Sequence, residues 1–106
     1  MQKLSKINSI NDTRKQVWKY LADNPDLPQK ICDEIYNRYH LLLNINTVSF
    51  NSDNNVITIS RNSERPISTL NLLSMMSVLL SEYINVYANV PINITINHKY
   101  LIEIHL

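Results

Sequence analysis

A chain of 106 residues with 44% hydrophobic and 18% charged side chains supports one modest core and is too apolar for a disordered segment. Its formal net charge of +1 gives no global attraction to nucleic acid or acidic membranes, and its one cysteine, Cys32, excludes an intrachain disulfide framework and a cysteine-based zinc site. With no glycine at all, the sequence has no Gly-rich phosphate loop, which sets aside P-loop, Rossmann and kinase-type nucleotide sites. The backbone positions that usually call on glycine fall to asparagine, which occurs 15 times.

Met1–Ile10 alternates polar and apolar residues without the continuous apolar stretch of a signal peptide. It reads as a lead-in at the start of a single domain covering 1–106. Thr13 opens the first helix as a capping box with Gln16, and Val17, Trp18 and Leu21 form its apolar face. Asn24-Pro25 ends it, because the residue before proline is pushed out of the helical region. Asp26 then caps a second helix with Pro28 in its first turn. Leu27, Ile31, Ile35, Tyr39 and Leu42, three or four apart, make that helix amphipathic to about Leu43.

Two strands follow. A four-residue loop, Ser52–Asn55, pairs Phe50 with Ile57 and Val48 with Ile59, all on one face. Ile67–Asn89 reads as a long third helix started near Ser68. One apolar stripe holds Leu70, Leu73, Leu80, Ile84 and Tyr87, and a second holds Leu72, Met76, Leu79, Tyr83 and Val86. Ser74 and Ser77 interrupt the apolar zone at Leu70–Leu80, which is too short to cross a bilayer. A cytoplasmic chain without membrane contact is expected.

The last segment, from Pro91, is the clearest strand signal. A loop at Asn97-His98-Lys99 pairs Ile96 with Tyr100, Ile94 with Ile102 and Ile92 with Ile104. The element order implies an α+β domain: an N-terminal helical hairpin followed by ββαββ, with a four-stranded, mainly antiparallel sheet and the third helix on one face.

Lys15–Ile35, an amphipathic helix, an Asn-Pro break and a helix opening at proline, resembles the front of a winged helix-turn-helix domain, with Ser52–Asn55 in the place of a wing. That resemblance implies a separate recognition helix lying in the major groove. None has room to start: the apolar period runs unbroken past Tyr36 to Leu43, and Arg38–Leu42 is mostly apolar. Nucleic-acid regulation would have to use Arg14, Lys15 and Lys19 on the first helix. Three basic residues fall short of the roughly six to ten phosphate contacts that support strong salt-dependent binding.

Other chemistry is sparse. Glu103 and His105 share a strand face, but His98 lies at the far end of the hairpin and no third metal ligand is forced. Cys32 and His40 are about 12 Å apart on a continuous helix, beyond the reach of a thiolate and its base. No catalytic residue, metal or cofactor is assigned. The chain reads as a non-enzymatic protein-binding module of inhibitor, immunity or adaptor type. Trp18, Tyr20, Tyr36 and Tyr39 are its candidate anchors, and His105 lies on a terminal strand whose edge is free to extend a partner's sheet. The wide apolar arc of the third helix adds a homodimer to the expected partners.

Overall fold

The computed structural model describes the backbone of residues 2–98 and 100–106, and side chains from residue 12 onward within that range. Met1 of the expected lead-in and Lys99 of the expected hairpin loop lie outside the described residues. The order is α1 (Gln2–Asp23), α2 (Leu27–Leu43), β1 (Ile45–Asn51), β2 (Val56–Arg61), α3 (Thr69–Tyr83), a 3₁₀ turn at Asn85–Ala88, β3 (Asn93–Asn97) and β4 (Leu101–His105). The strands form one antiparallel sheet in the order β1-β2-β4-β3. The class is α+β, as the element pattern implied.

Helix α1 begins at Gln2, so Thr13 lies inside it and is not a cap. Nothing between Gln2 and Asp23 is a proline or glycine, the two residues that would stop a helix. Its C-terminal end is closed by Asn24, whose Nδ2 donates to the Tyr20 carbonyl at 2.8 Å. Asp26 does precede α2, but its backbone is already helical and its side chain makes no capping bond. Along α2 the buried line is Ile31, Ile35 and Leu43, with Tyr39 packed against it. Leu42, expected on this line, is 67% exposed.

No break interrupts α2. Its C-terminus is turned by Asn44 in the left-handed region (φ 53°, ψ 49°), with the Asn44 N–H bonded to the His40 carbonyl, and β1 begins at the next residue. Among the described residues three hold positive φ, namely Asn44, Asn55 and His98, and each stands where a helix or strand meets a turn. In a chain without glycine, asparagine takes this role because its short polar side chain tolerates the left-handed region.

The first hairpin has the expected register, Phe50 opposite Ile57 and Val48 opposite Ile59. The second is displaced by two residues from expectation: Ile96 faces Ile102, Ile94 faces Ile104 and Asn97 faces Leu101. An even shift keeps the isoleucines on the core face. The offset follows from β4 being an inner strand, in which Ile104 and Ile102 also face Ile57 and Ile59 of β2. Tyr100 belongs to the turn, where its carbonyl accepts the Arg61 N–H at 2.8 Å. The terminal strand therefore has no free edge, contrary to expectation; β1 and β3 are the outer strands.

The third helix is shorter than the expected Ile67–Asn89. Ser68 caps it, its Oγ accepting the Asn71 N–H at 3.4 Å, and Ile84 ends it in an extended conformation. Fifteen residues of helix cover about 22 Å, matched to strands of about 17–24 Å, whereas an unbroken helix to Asn89 would overrun the sheet. The break also allows both Ile84 and Tyr87 to be buried. Leu72, Met76, Leu79 and Leu80 face the inner isoleucines of β2 and β4, all essentially inaccessible, while Leu70 is 76% exposed. One core cluster takes residues from all three helices and from the sheet. No helix among the described residues is long and apolar enough to cross a membrane.

Arg61 is the buried charged residue of this core. Its Nε donates to the Leu43 carbonyl at 2.7 Å and its Nη1 to the Arg65 carbonyl at 2.9 Å. A cation at the last carbonyls of α2 is also favoured by the helix dipole. Arg61→Ala, which strands the buried Leu43 carbonyl and removes the partner of the partly buried Arg65 carbonyl, is expected to lower stability by about 2–4 kcal/mol in urea unfolding. Asn44→Ala should cost about 1 kcal/mol, whereas Asn44→Gly should stay near the wild type, because glycine's relief of the left-handed Cβ clash is set against its greater loss of freedom on folding.

Candidate functional site

The residues singled out for chemistry are engaged in structure. Cys32 is buried in the core, where desolvation, with a smaller contribution from Asp33, raises its thiol to about 11. It is therefore a neutral packing group at ordinary pH, and reactivity requires the thiolate. His40 stacks on Tyr36 with ring centroids 4.8 Å apart, and its Nδ1 lies 2.8 Å from the Tyr36 carbonyl. On the outer face of the sheet, His105 Nε2 meets Thr95 Oγ1 at 3.0 Å and Asn97 Nδ2 donates to Glu103. Among the described residues no group of three or more His, Cys, Asp or Glu side chains could hold a metal ion.

The proposed aromatic anchors do not converge. Trp18 and Tyr20 flank the buried Val17–Leu21 line of α1 on opposite sides. Trp18 Nε1 donates to the Leu106 carbonyl at 3.0 Å, with the Arg14 guanidinium 5.4 Å above its ring. Tyr20 instead borders a cleft of about 440 Å³ shared with Tyr83 and Val86. Tyr36 is exposed on α2, Tyr39 is half-buried against the core, and His105 is half-buried on the sheet. Of the three basic residues, Arg14 is drawn onto Trp18, while Lys15 and Lys19 stand exposed one turn apart.

A different surface emerges at the seam between α2 and α3. Arg38 Nη2 bridges Glu34 and Glu82, each at 3.0 Å, and the Tyr83 hydroxyl donates to Glu34 Oε1 at 3.2 Å. Burial and the Glu34 carboxylate both raise the Tyr83 pKa, in that order. These contacts set the two helices antiparallel, so that Leu42 meets the first turns of α3 across a cleft of about 370 Å³. Ser74, Val78 and Glu82 lie four apart on one row of α3. Glu82 reaches Arg38 and Ser74 lines the cleft with Leu42, which places Val78 along the seam between them.

Leu41 is 82% exposed, Leu42 67% and Val78 57%. Met75 and Ile67 form the half-buried floor of the cleft, and Arg65 stands exposed at its rim. Periodicity did not single out this group. The helical period places Leu42 on the core stripe and Val78 between stripes. The available signal was the run Leu41-Leu42-Leu43, in which three consecutive leucines cannot all face one side of a helix.

The buried thiol supplies a check. A thiol reagent at pH 8 should find no reactive cysteine in the folded protein and one per chain in denaturant. Because Cys32 keeps its proton more tightly when folded, stability should hold below pH 9 and fall as pH rises from 9 toward 11. Burial raises Tyr87 to about 12, which extends that decline. Cys32→Ala should flatten the first part of the fall, read as the pH dependence of the urea midpoint.

No protein-family model matches the chain, and neither a curated protein nor a solved structure matches it.

Proposed function

We propose that this chain is a small non-enzymatic protein-binding module, of inhibitor, immunity or adaptor type, acting through the α2–α3 seam. The observation that carries the proposal is Leu42, 67% exposed at a cleft floored by half-buried Ile67 and Met75, with exposed Leu41 next to it on α2 and exposed Val78 on the row of α3 that faces the seam. Scattered exposed aliphatics are normal on a soluble domain; a contiguous group beside a cleft is what a partner covers. Arg65 at the rim gives the surface a sign. The partner segment it fits is apolar with a carboxylate at its margin, an arrangement with a desolvated centre and a polar rim.

Several features favour this reading over an enzyme or a regulator of nucleic acid. Cys32 is buried in its neutral form, and Glu103 and His105 are each bonded to a sheet neighbour. Helix α2 passes into β1 through Asn44 without forming a second helix. The nucleic-acid alternative rests on the exposed pair Lys15 and Lys19 with Arg14, a small electrostatic footprint.

The test is capture by immobilised protein from its host, comparing the wild type with Leu41→Glu/Leu42→Glu. Both positions are solvent-exposed, so the variant should unfold within about 0.5 kcal/mol of the wild type while losing the captured protein. Lys15→Ala/Lys19→Ala should retain it. Capture that is unchanged by the leucine substitutions, or a duplex-DNA affinity that falls steeply between two salt concentrations, would overturn the proposal.

A further inference from the structure

The outer strand β3 reads Asn93-Ile94-Thr95-Ile96-Asn97, the same in both directions about Thr95. When a strand pairs antiparallel with a copy of itself across a two-fold axis, each residue meets its mirror position in the strand. Centred on Thr95, that pairing sets threonine against threonine, Ile94 against Ile96 and Asn93 against Asn97. Every contact is then like with like, on the correct face, and none carries a charge. Thr–Thr and β-branched pairs are favourable cross-strand partners, while like charges directly opposite are not.

The other outer strand lacks this property. Centred on Val48, self-pairing of β1 would oppose Asn46 to Phe50 and Ile45 to Asn51, and its register is irregular between Ile45 and Thr47. Natural sheets commonly guard their edges with lysine, proline or a bulge. Between Asn93 and Asn97 β3 has none of these, and its partner β4 pairs with it in unbroken register.

The core layer is also unfinished on this side. Ile96 points to the core face yet is 41% exposed, and Ile94 is half-buried. On α3, the flank opposite the Arg38–Glu82 contact carries Leu70, 76% exposed, and half-buried Leu73. A strand added beyond β3 would cover the two isoleucines, and the second copy would bring its own α3 flank alongside.

We infer that the chain forms a symmetric dimer by β3–β3 pairing about Thr95, making one continuous eight-stranded sheet with the helices of both copies on the same side. The paired edge contains none of Leu41, Leu42 and Val78, so the dimer leaves these open on each copy. A five-residue edge with an aliphatic flank is smaller than the roughly 800 Å² per partner of a standard interface, so assembly in the micromolar range is expected.

Sedimentation equilibrium from about 1 µM to about 1 mM should show a monomer–dimer transition. Thr95→Arg places two like charges at the axis and should weaken dimerisation at least about tenfold, whereas Ser49→Arg on β1 should not move the midpoint. Thr95→Cys gives a readout independent of any folding defect in the arginine variant: under mild oxidation it should form a covalent dimer, because directly opposed strand residues lie within disulfide reach. Cys32 is buried and does not compete. A wild type that stays monomeric throughout this range would sink the inference. So would a dimer that is indifferent to Thr95→Arg, one that Ser49→Arg weakens equally, or a Thr95→Cys protein that gives no cross-link.

Discussion

Arg61 joins stretches of chain that are far apart in sequence. Its guanidinium holds the last carbonyl of α2 and the carbonyl of Arg65 in the loop before α3, while its own N–H is bonded to Tyr100 in the β3–β4 turn. The next residue, Asn62, donates to the Asn44 carbonyl at the start of β1. The end of the helical hairpin, both strand pairs and the entry to α3 are thus fixed around one residue. Burial opposes the charged form of Arg61, a cost offset by bonding to carbonyls at a helix C-terminus. Arg61 and Arg65 line the seam cleft and also a smaller recess, of about 180 Å³, against Ile96 and His98 at the end of β3, so the geometry of both depends on this junction.

Among the described residues three left-handed positions are taken without glycine, and they account for the short connections of the fold. Asn44 lets a helix pass into a strand within one residue, Asn55 closes the first hairpin, and His98 opens the turn of the second. Each carries some steric cost that glycine would avoid, but each also loses less conformational freedom on folding than glycine would. Asn55 has a second role: its carbonyl accepts the Leu106 N–H, which ties the first hairpin to the end of β4.

Much of the architecture was legible because the periodicities are clean. Val48, Phe50, Ile57 and Ile59 share one face when a four-residue loop joins their strands, and the structure adopts that register. The isoleucines of the second hairpin fixed the face but not the pairing, since a displacement of two residues preserves alternation; only the contact of β4 with β2 decides it. The inner position of β4 was likewise invisible, because strand order is a tertiary property. On α3 both apolar stripes reach the core, Leu72, Met76 and Leu79 from one and Leu80 and Ile84 from the other, while Leu70 at the head of its stripe stays in solvent. The candidate sites fared less well. Residue type alone points to the single aromatics on α1 and α2, and their phases on the helices separate them. The seam needs two helices to be brought together before Leu42 and Val78 can be seen as neighbours.

The bond from Trp18 to Leu106 links residues 88 apart, and Trp18 is the single tryptophan of the chain. Its indole stands where α1 meets the end of the sheet, with Arg14 over one face. Intrinsic emission from this ring therefore reports on whether α1 is docked against the end of β4, not on helix content. An optical signal and far-ultraviolet dichroism followed together would separate detachment of the first helix from melting of the whole domain.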